Sequence, residues 1–286
     1  MQHIFHNTYI FYTFTASREG SSAQLGKKKQ AFLFAQSLLN RTFVTMLTKT
    51  KAIVLHTLKY GEASMIVDLF TESHGRMSYA VRIPKTAKAR VKKQFFQPMT
   101  VLDLEFDYRE RSDLQHIRDV RIALPFSSIP FEPVKLSISL FVAEFLYYCT
   151  RDEQQNSLLY QYIENSIAWL DTATHAYANF HLVFMMHLSR FIGFYPNLEG
   201  ESSKCYFDLR NAAFTNTAPL HPNFLHPTEA ERIRTLMRMG YESMHLFRLN
   251  RHERNRITEL IIQYYRLHIP MMPELHSFAV MKELFV

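Results

Sequence analysis

The stretch "AIVLHTLKYGEASMIVDLFTESHGRMSYAVRIPK", Ala52 to Lys85, decides the fold. Apolar and polar residues alternate along three short runs, which is the period of a β-strand with one buried face. Gly61 separates the first run from the second, and "ESHGR" supplies the next turn, with Gly75 at the position that favours a positive φ. The stretch therefore predicts three consecutive strands joined by short turns.

Two more strands follow. "MTVLDLEFDYRE", from Met99, alternates cleanly, and "LQHIRDVRIAL" spans Leu114 to Leu124. Five short strands within about 75 residues, with the longest connection between the third and the fourth, are typical of an OB-type Greek-key barrel. We predict an OB-fold β-barrel at residues 46–125.

The pattern changes at the proline-rich joint "PFSSIPFEP". From Val134 onward the apolar residues recur with helical spacing. A loop-rich insert at about residues 197–227 interrupts this pattern. The sequence thus predicts an α+β protein, with an α-helical domain at residues 126–286 after the barrel. Its helices are expected at about Val134–Phe145, Gln154–Asp171, Ala176–Ile192, Thr228–Met239, Arg251–His268 and near the C-terminus.

Composition narrows the function classes. The 286 residues carry a formal net charge of +7, and the sequence pI near 9.3 favours an acidic partner such as nucleic acid. No apolar run is long enough for a membrane span. The two cysteines, Cys149 and Cys205, cannot build a disulfide scaffold, which suits a reducing cytoplasm.

Residues 1–45 differ from the rest of the chain. They hold five basic residues and one acidic residue, with a polar Ser/Gly/Lys middle and few aliphatic side chains. They lack the order of regions found in a signal peptide. We predict that they form an N-terminal extension rather than a domain, and that the recognisable protein begins at Met46.

The excess of positive charge is concentrated in one window. No acidic residue lies between Glu72 and Asp103, and the segment closes on Phe95 and Phe96. Cations along a groove together with rings for base stacking are what sequence-tolerant single-strand binding requires. The alternatives are a solvated loop and rings that plug the barrel, an ambiguity that Tyr60 and Tyr79 share. The predicted nucleic-acid-binding residues are Arg76, Arg82, Lys85, Lys88, Arg90, Lys92, Lys93, Phe95 and Phe96.

The sequence predicts no catalytic site. Asp103, Glu105 and Asp107 share one face of a strand and suggest a metal-dependent nuclease, but acids that face solvent from an alternating strand explain the same spacing. No motif for a nucleophile, a metalloprotease or a phosphate-cradling loop occurs.

The sequence also predicts no bound metal. Cys205, His221 and His226 lie in the insert, yet three candidates without a second nearby cysteine fall short of the four ligands of a structural zinc site. We therefore expect no cofactor.

Several segments resemble the RecO family of DNA repair and recombination mediators. They are the opening stretch with its pattern "E.S.IV.LFTE..GR", the following "FQPMTVLDLEF" and the ending "YYRLHIPMMPELHSFAVMKELF", so that the resemblance covers about Met46 to Phe285. It implies an OB-fold, a helical domain and, in many members, a four-cysteine zinc module in the insert. This chain departs from the family in keeping only Cys205 of those ligands, and in having Ile83 and Pro84 where a glycine is common.

The resemblance implies a function without bond chemistry. Such proteins bind single- and double-stranded DNA, anneal complementary strands and help the RecA recombinase onto DNA coated by single-strand-binding protein, together with the ring-forming partner RecR. A pocket for the acidic, Phe-ending tail of single-strand-binding protein is expected in the helical domain, and cationic helices such as "ERIRTLMRM" and "NRHERNRI" support this expectation. The expected location is the cytoplasm, at the nucleoid. The alternatives are a protein–protein adaptor and an OB-fold RNA-binding factor.

Overall fold

The computed structural model describes residues 46–83, 91–198 and 205–284. Its first part is a closed barrel with the strand order β1-β2-β3-β5-β4. Strands β3 and β5 pair in parallel, and the pairs β1–β2, β2–β3 and β4–β5 are antiparallel. The predicted OB-type barrel is confirmed. The strands are β1 (Met46–Tyr60), β2 (Ser64–Thr71), β3 (Gly75–Arg82), β4 (Val101–Tyr108) and β5 (Leu114–Leu124).

The barrel core follows from the alternation in the strands. In β4, Leu102, Leu104 and Phe106 are buried, while Asp103 between them is exposed. They share one apolar cluster with Phe96, which lies in a 3-10 turn (Lys93–Phe96) just before β4. The residues that alternate toward the inside of the strands therefore fill the barrel, and Phe96 adds to that filling.

Six described helices follow the barrel, in the predicted order. The third ends at Leu188, before the predicted Ile192, and Gly193 comes soon after with a φ of 88°. The helices are α1 (Pro133–Cys149), α2 (Ser157–Thr172), α3 (Phe180–Leu188), α4 (Pro227–Arg238), α5 (Arg251–His268) and α6 (His276–Leu284).

The insert is more ordered than a loop. It holds a small antiparallel sheet with the strand order β7-β6-β8. Phe207 and Phe214 pair across β6 and β7, and both belong to the core of the helical domain. The strands are β6 (Tyr206–Asp208), β7 (Ala213–Thr215) and β8 (Phe224–Leu225).

Hydrogen bonds hold the proline-rich joint between the barrel and the helices in place. The Asp171 carboxylate at the end of α2 accepts hydrogen bonds from the backbone N–H groups of Ser127, Ser128 and Ile129, at 2.8 to 2.9 Å. Phe70 of β2 is buried in the helical core rather than in the barrel. The proline-rich joint is thereby fixed to the helical domain.

Candidate nucleic-acid interface

One end of the barrel gathers the predicted site. Tyr60 of β1 pairs with Ser64 of β2, which pairs with Arg82 of β3, so the three residues share one rung. Because β5 runs parallel to β3, both strands point toward the same end. The segment between β3 and β4 therefore starts at the end of the barrel toward which β1, β3 and β5 run.

At this end of the barrel, the predicted cationic side chains that the structure describes form no ion pair with another described residue. Arg82, Lys92 and Lys93 are exposed, and none of them forms an ion pair within the described part of the chain. Lys85, Lys88 and Arg90 lie outside the described residues. The prediction that all six bind nucleic acid stays a prediction, and three of the six have the exposure it needs.

Arg76 does not fit the predicted role. Its side chain is only 10 % exposed, and its guanidinium lies 3.1 Å from the Asp68 carboxylate. It also covers the ring of Tyr147 in α1, at 4.6 Å from the ring centroid. The ion pair and the ring contact already occupy this guanidinium between the barrel and the helices. We therefore remove Arg76 from the predicted phosphate-binding surface.

The aromatic candidates differ in the exposed fraction of their side chains. Phe96 and Tyr79 are 2 % and 0 % exposed, so their rings fill the barrel and have no surface on which a base could stack. Phe96 therefore leaves the predicted binding residues, and for Tyr79 the plugging alternative holds. Tyr60, at 66 % exposed, and the half-buried Phe95 keep surface for a ligand. The sequence left both readings open, since a plugging ring and a stacking ring have the same local pattern.

A cavity of about 460 Å³ lies between Phe95 and β5. Its lining includes Arg121, whose side chain is 79 % exposed, and Ile122, which is 42 % exposed. Sequence reasoning missed both residues because they read as an ordinary strand end. Their importance comes only from the fold, which brings the end of β5 beside the segment before β4.

Glu105 and Asp107 on the acidic face of β4 form ion pairs. Lys49 lies 2.5 Å from the Glu105 carboxylate, and the Arg118 Nε donates to Asp107 at 2.7 Å. Over the residues that the structure covers, no group of three His, Cys, Asp or Glu side chains could hold a metal ion. The arrangement fits acids that face solvent.

The zinc-module position is built around an arginine. Cys205 is buried, and its Sγ accepts a hydrogen bond from the Arg234 guanidinium at 2.6 Å. His221 instead faces the Asp208 carboxylate, at 3.3 Å, and His226 is exposed. The three predicted candidates therefore do not converge on one point.

Most arginines of α4 and α5, the two cationic helices, form contacts within the protein. Arg232 of α4 pairs with Glu253 of α5 at 2.9 Å, and Arg256 of α5 pairs with Glu229 of α4 at the same distance. The Arg254 side chain donates to Asn179. The two ion pairs join α4 to α5, and Arg254 joins α5 to the turn before α3, so the two helices are not an open cationic surface.

A groove of about 370 Å³ lies between α5 and α6. Ile262, Leu275 and Phe278 supply apolar surface, and Arg266 and Lys282 supply positive charge. Glutamates also line it, and Lys282 pairs with Glu259 at 2.6 Å. None of the helices in the described ranges is long and apolar enough to cross a membrane.

Comparisons with known proteins match this chain to one protein family. The sequence matches the family model described as Recombination protein O N terminal over residues 46–126, and the one described as Recombination protein O C terminal over residues 130–277. It is similar to DNA repair protein RecO of Phocaeicola vulgatus (49 % identical over 240 residues), of Bacteroides fragilis (50 % over 241) and of Azobacteroides pseudotrichonymphae (36 % over 240). Each of these matches covers 84 % of this chain and 100 % of the relative.

Proposed function

This chain belongs to the RecO family of DNA repair and recombination proteins, and we propose that it acts as a mediator that binds single- and double-stranded DNA and anneals complementary strands. In this role it assists RecA loading onto DNA coated by single-strand-binding protein, with RecR as partner, and catalyses no bond chemistry. Its place of action is the cytoplasm, at the nucleoid. The DNA-binding unit is residues 46–125, the helical domain is residues 126–286, and residues 1–45 lie outside both.

The observation that carries the proposal is the acid-free segment at one end of the closed barrel. Arg82, Lys92 and Lys93 are exposed there, and none of them forms an ion pair with another residue that the structure describes. Two DNA strands repel each other through their phosphates, and a cationic surface that screens both strands leaves their base edges free to pair. Annealing therefore needs a concentrated basic surface but no catalytic group.

An annealing assay tests this function. Two complementary oligonucleotides with a fluorophore and a quencher are mixed with the full chain at low salt, and the rate of quenching is followed. The proposal predicts faster annealing than without protein, and an increase that disappears at high salt. An unchanged rate, with no binding of the protein to DNA, would favour the adaptor alternative, and tighter binding to RNA than to DNA would favour the RNA-binding one.

For the tail of single-strand-binding protein, we propose the groove between α5 and α6. It combines an apolar surface for a terminal aromatic residue with Arg266 and Lys282 for carboxylates. To bind a carboxylate of the peptide, Lys282 would exchange the Glu259 carboxylate, 2.6 Å away, for it. Titration with an acidic, Phe-ending peptide tests the site: R266E with K282E should abolish binding, whereas R232E should leave it.

A further inference from the structure

We propose that the cavity between Phe95 and β5 holds one unpaired DNA base, and that this subsite makes the protein prefer single strands to duplex. The inference rests on the proposed DNA-binding function of this end of the barrel. It adds Arg121 and Ile122 to the interface and assigns single-strand preference to a defined place in the fold.

The lining of the cavity suits a flat ring. Phe95 packs in part against the barrel core, and its remaining surface borders the cavity. Ile122 is exposed there although it is a large apolar side chain, and the lining is completed by Asp119, Val120 and Arg121. A nucleobase stacks on an aromatic ring whatever its identity, because every base has a π-face. An arginine side chain adds a cation–π contribution to such a stack.

The two lysines beside the cavity favour a nucleotide over an apolar peptide as its ligand. Lys92 and Lys93 lie at the start of the 3-10 turn that contains Phe95, and both are exposed. The acid of the lining, Asp119, has the Arg121 guanidinium at 3.4 Å, which offsets its charge. A base in the cavity would thus have cations close by for the phosphates of its own strand.

Only an unpaired base can use this subsite. In a duplex the two faces of each base are covered by its neighbours, whereas the phosphates stay accessible. The lysines therefore hold single strands and duplex alike, but Phe95 contributes only to single strands. When annealing pairs the bases, the stacked base leaves the cavity, and the duplex is held by phosphate contacts alone. The subsite thereby favours release of the annealed product.

Binding of matched oligonucleotides to the full chain tests the subsite. Phe95→Leu keeps apolar volume but removes the ring, and Phe131→Leu is the control, since Phe131 is 78 % exposed and is not part of the cavity lining. We expect F95L to weaken single-strand binding by roughly five- to 160-fold, the range that stacking of one base spans. Duplex binding should change less than about twofold on the same reasoning, and F131L should change neither.

A crosslinking measurement on the unaltered chain removes any dependence on how F95L folds. Single-stranded DNA containing 5-iodouracil is irradiated in the complex, and the modified residues are found by mass spectrometry. Crosslinks at Phe95 or at β5 residues of the cavity support the subsite. Crosslinks only elsewhere, or an equal loss of single-strand and duplex binding in F95L, overturn it and leave DNA binding intact. Failure of the unaltered chain to bind DNA overturns the proposed function itself.

Discussion

Arg76 and Asp68 form an ion pair of 3.1 Å that lies where the barrel meets the helices. Burial alone would raise the pKa of Asp68, but hydrogen bonds from His56 and Ser78, together with Arg76, outweigh it and hold that pKa well below its usual range. The Arg76 backbone N–H also donates to the Glu153 carbonyl, at 3.0 Å. The Gly–Arg pair of the opening stretch therefore joins the two parts of the molecule.

Removing Arg76 should destabilise this joint. Arg76→Met leaves the largely buried Asp68 carboxylate without its cation, and we expect a loss of about 3 kcal/mol in the free energy of unfolding. Arg118→Met is the matched control, since Arg118 pairs with Asp107 but is 58 % exposed; it should cost less than about 1 kcal/mol. Urea unfolding at pH 7 measures both. Equal losses in the two variants would contradict the assignment of Arg76 to the joint.

Gly75 should tolerate no side chain. Its φ is 69°, and an added Cβ would overlap the Gln154 carbonyl oxygen in the helical domain. Gly61 has a similar φ of 73° with nothing within 4 Å, so Gly61→Ala isolates the backbone cost of about 1 kcal/mol. We expect Gly75→Ala to lose at least about 2 kcal/mol more than that, because backbone must shift as well. Similar melting temperatures for the two variants would show that the close approach to Gln154 is unimportant.

Acid should weaken the helical domain through His181. Burial, with a further contribution from Arg254, lowers the pKa of His181 to about 3. The unfolded chain takes up the proton near pH 6.5, so this stability is complete above that pH and is lost as the pH falls toward 3, by up to about 1.4 kcal/mol per pH unit.

The single tryptophan, Trp169, stacks on Phe180 beside His181, so its fluorescence can follow unfolding of this region. His181→Asn should flatten the stability between pH 6 and pH 4 relative to the unaltered chain. His175→Asn, at an exposed histidine, should leave the pH dependence as it is. A pH profile that H181N does not alter would show that His181 is not the group responsible.

The Arg234–Cys205 contact should stabilise the insert without metal. The Arg234 side chain is 7 % exposed, donates to Cys205 and covers the ring of Phe214 at 4.8 Å. Arg234→Met should cost about 2 kcal/mol, whereas Arg238→Met, at an exposed position of the same helix, should cost little. A chelator should leave the melting temperature unchanged, and a chelator-induced fall would indicate a structural metal that the sequence does not predict.

The fold was readable from the sequence because its signals are local. Alternation in "MTVLDLEFDYRE" placed β4, and Gly75 marked a turn that does have a positive φ. The family pattern agreed with both. The insert was harder, because β6, β7 and β8 have only two or three residues each, too few for a period to show.

Only part of the candidate site could be predicted from the sequence. The charge of Arg82, Lys92 and Lys93 is visible in the sequence, but burial is decided by distant packing partners. Arg76 has the same local pattern as Arg82, yet the helical domain covers the first and leaves the second exposed. Arg121 joined the interface only because the fold places this part of β5 beside Phe95.

The salt dependence of single-strand binding tests the central claim most directly. Charge reversal of Lys85, Lys88, Arg90, Lys92 and Lys93 together should weaken binding for every sequence alike and flatten the plot of log K against log salt, by roughly 0.7 for each phosphate that the variant no longer neutralises. Neutralising Asp103, Glu105 and Asp107 is the control and should not reduce that slope. The contradicting result is a variant with all five substitutions that keeps the melting temperature of the unaltered chain and binds with an unchanged salt slope. It would show that the segment before β4 is not the phosphate-binding surface.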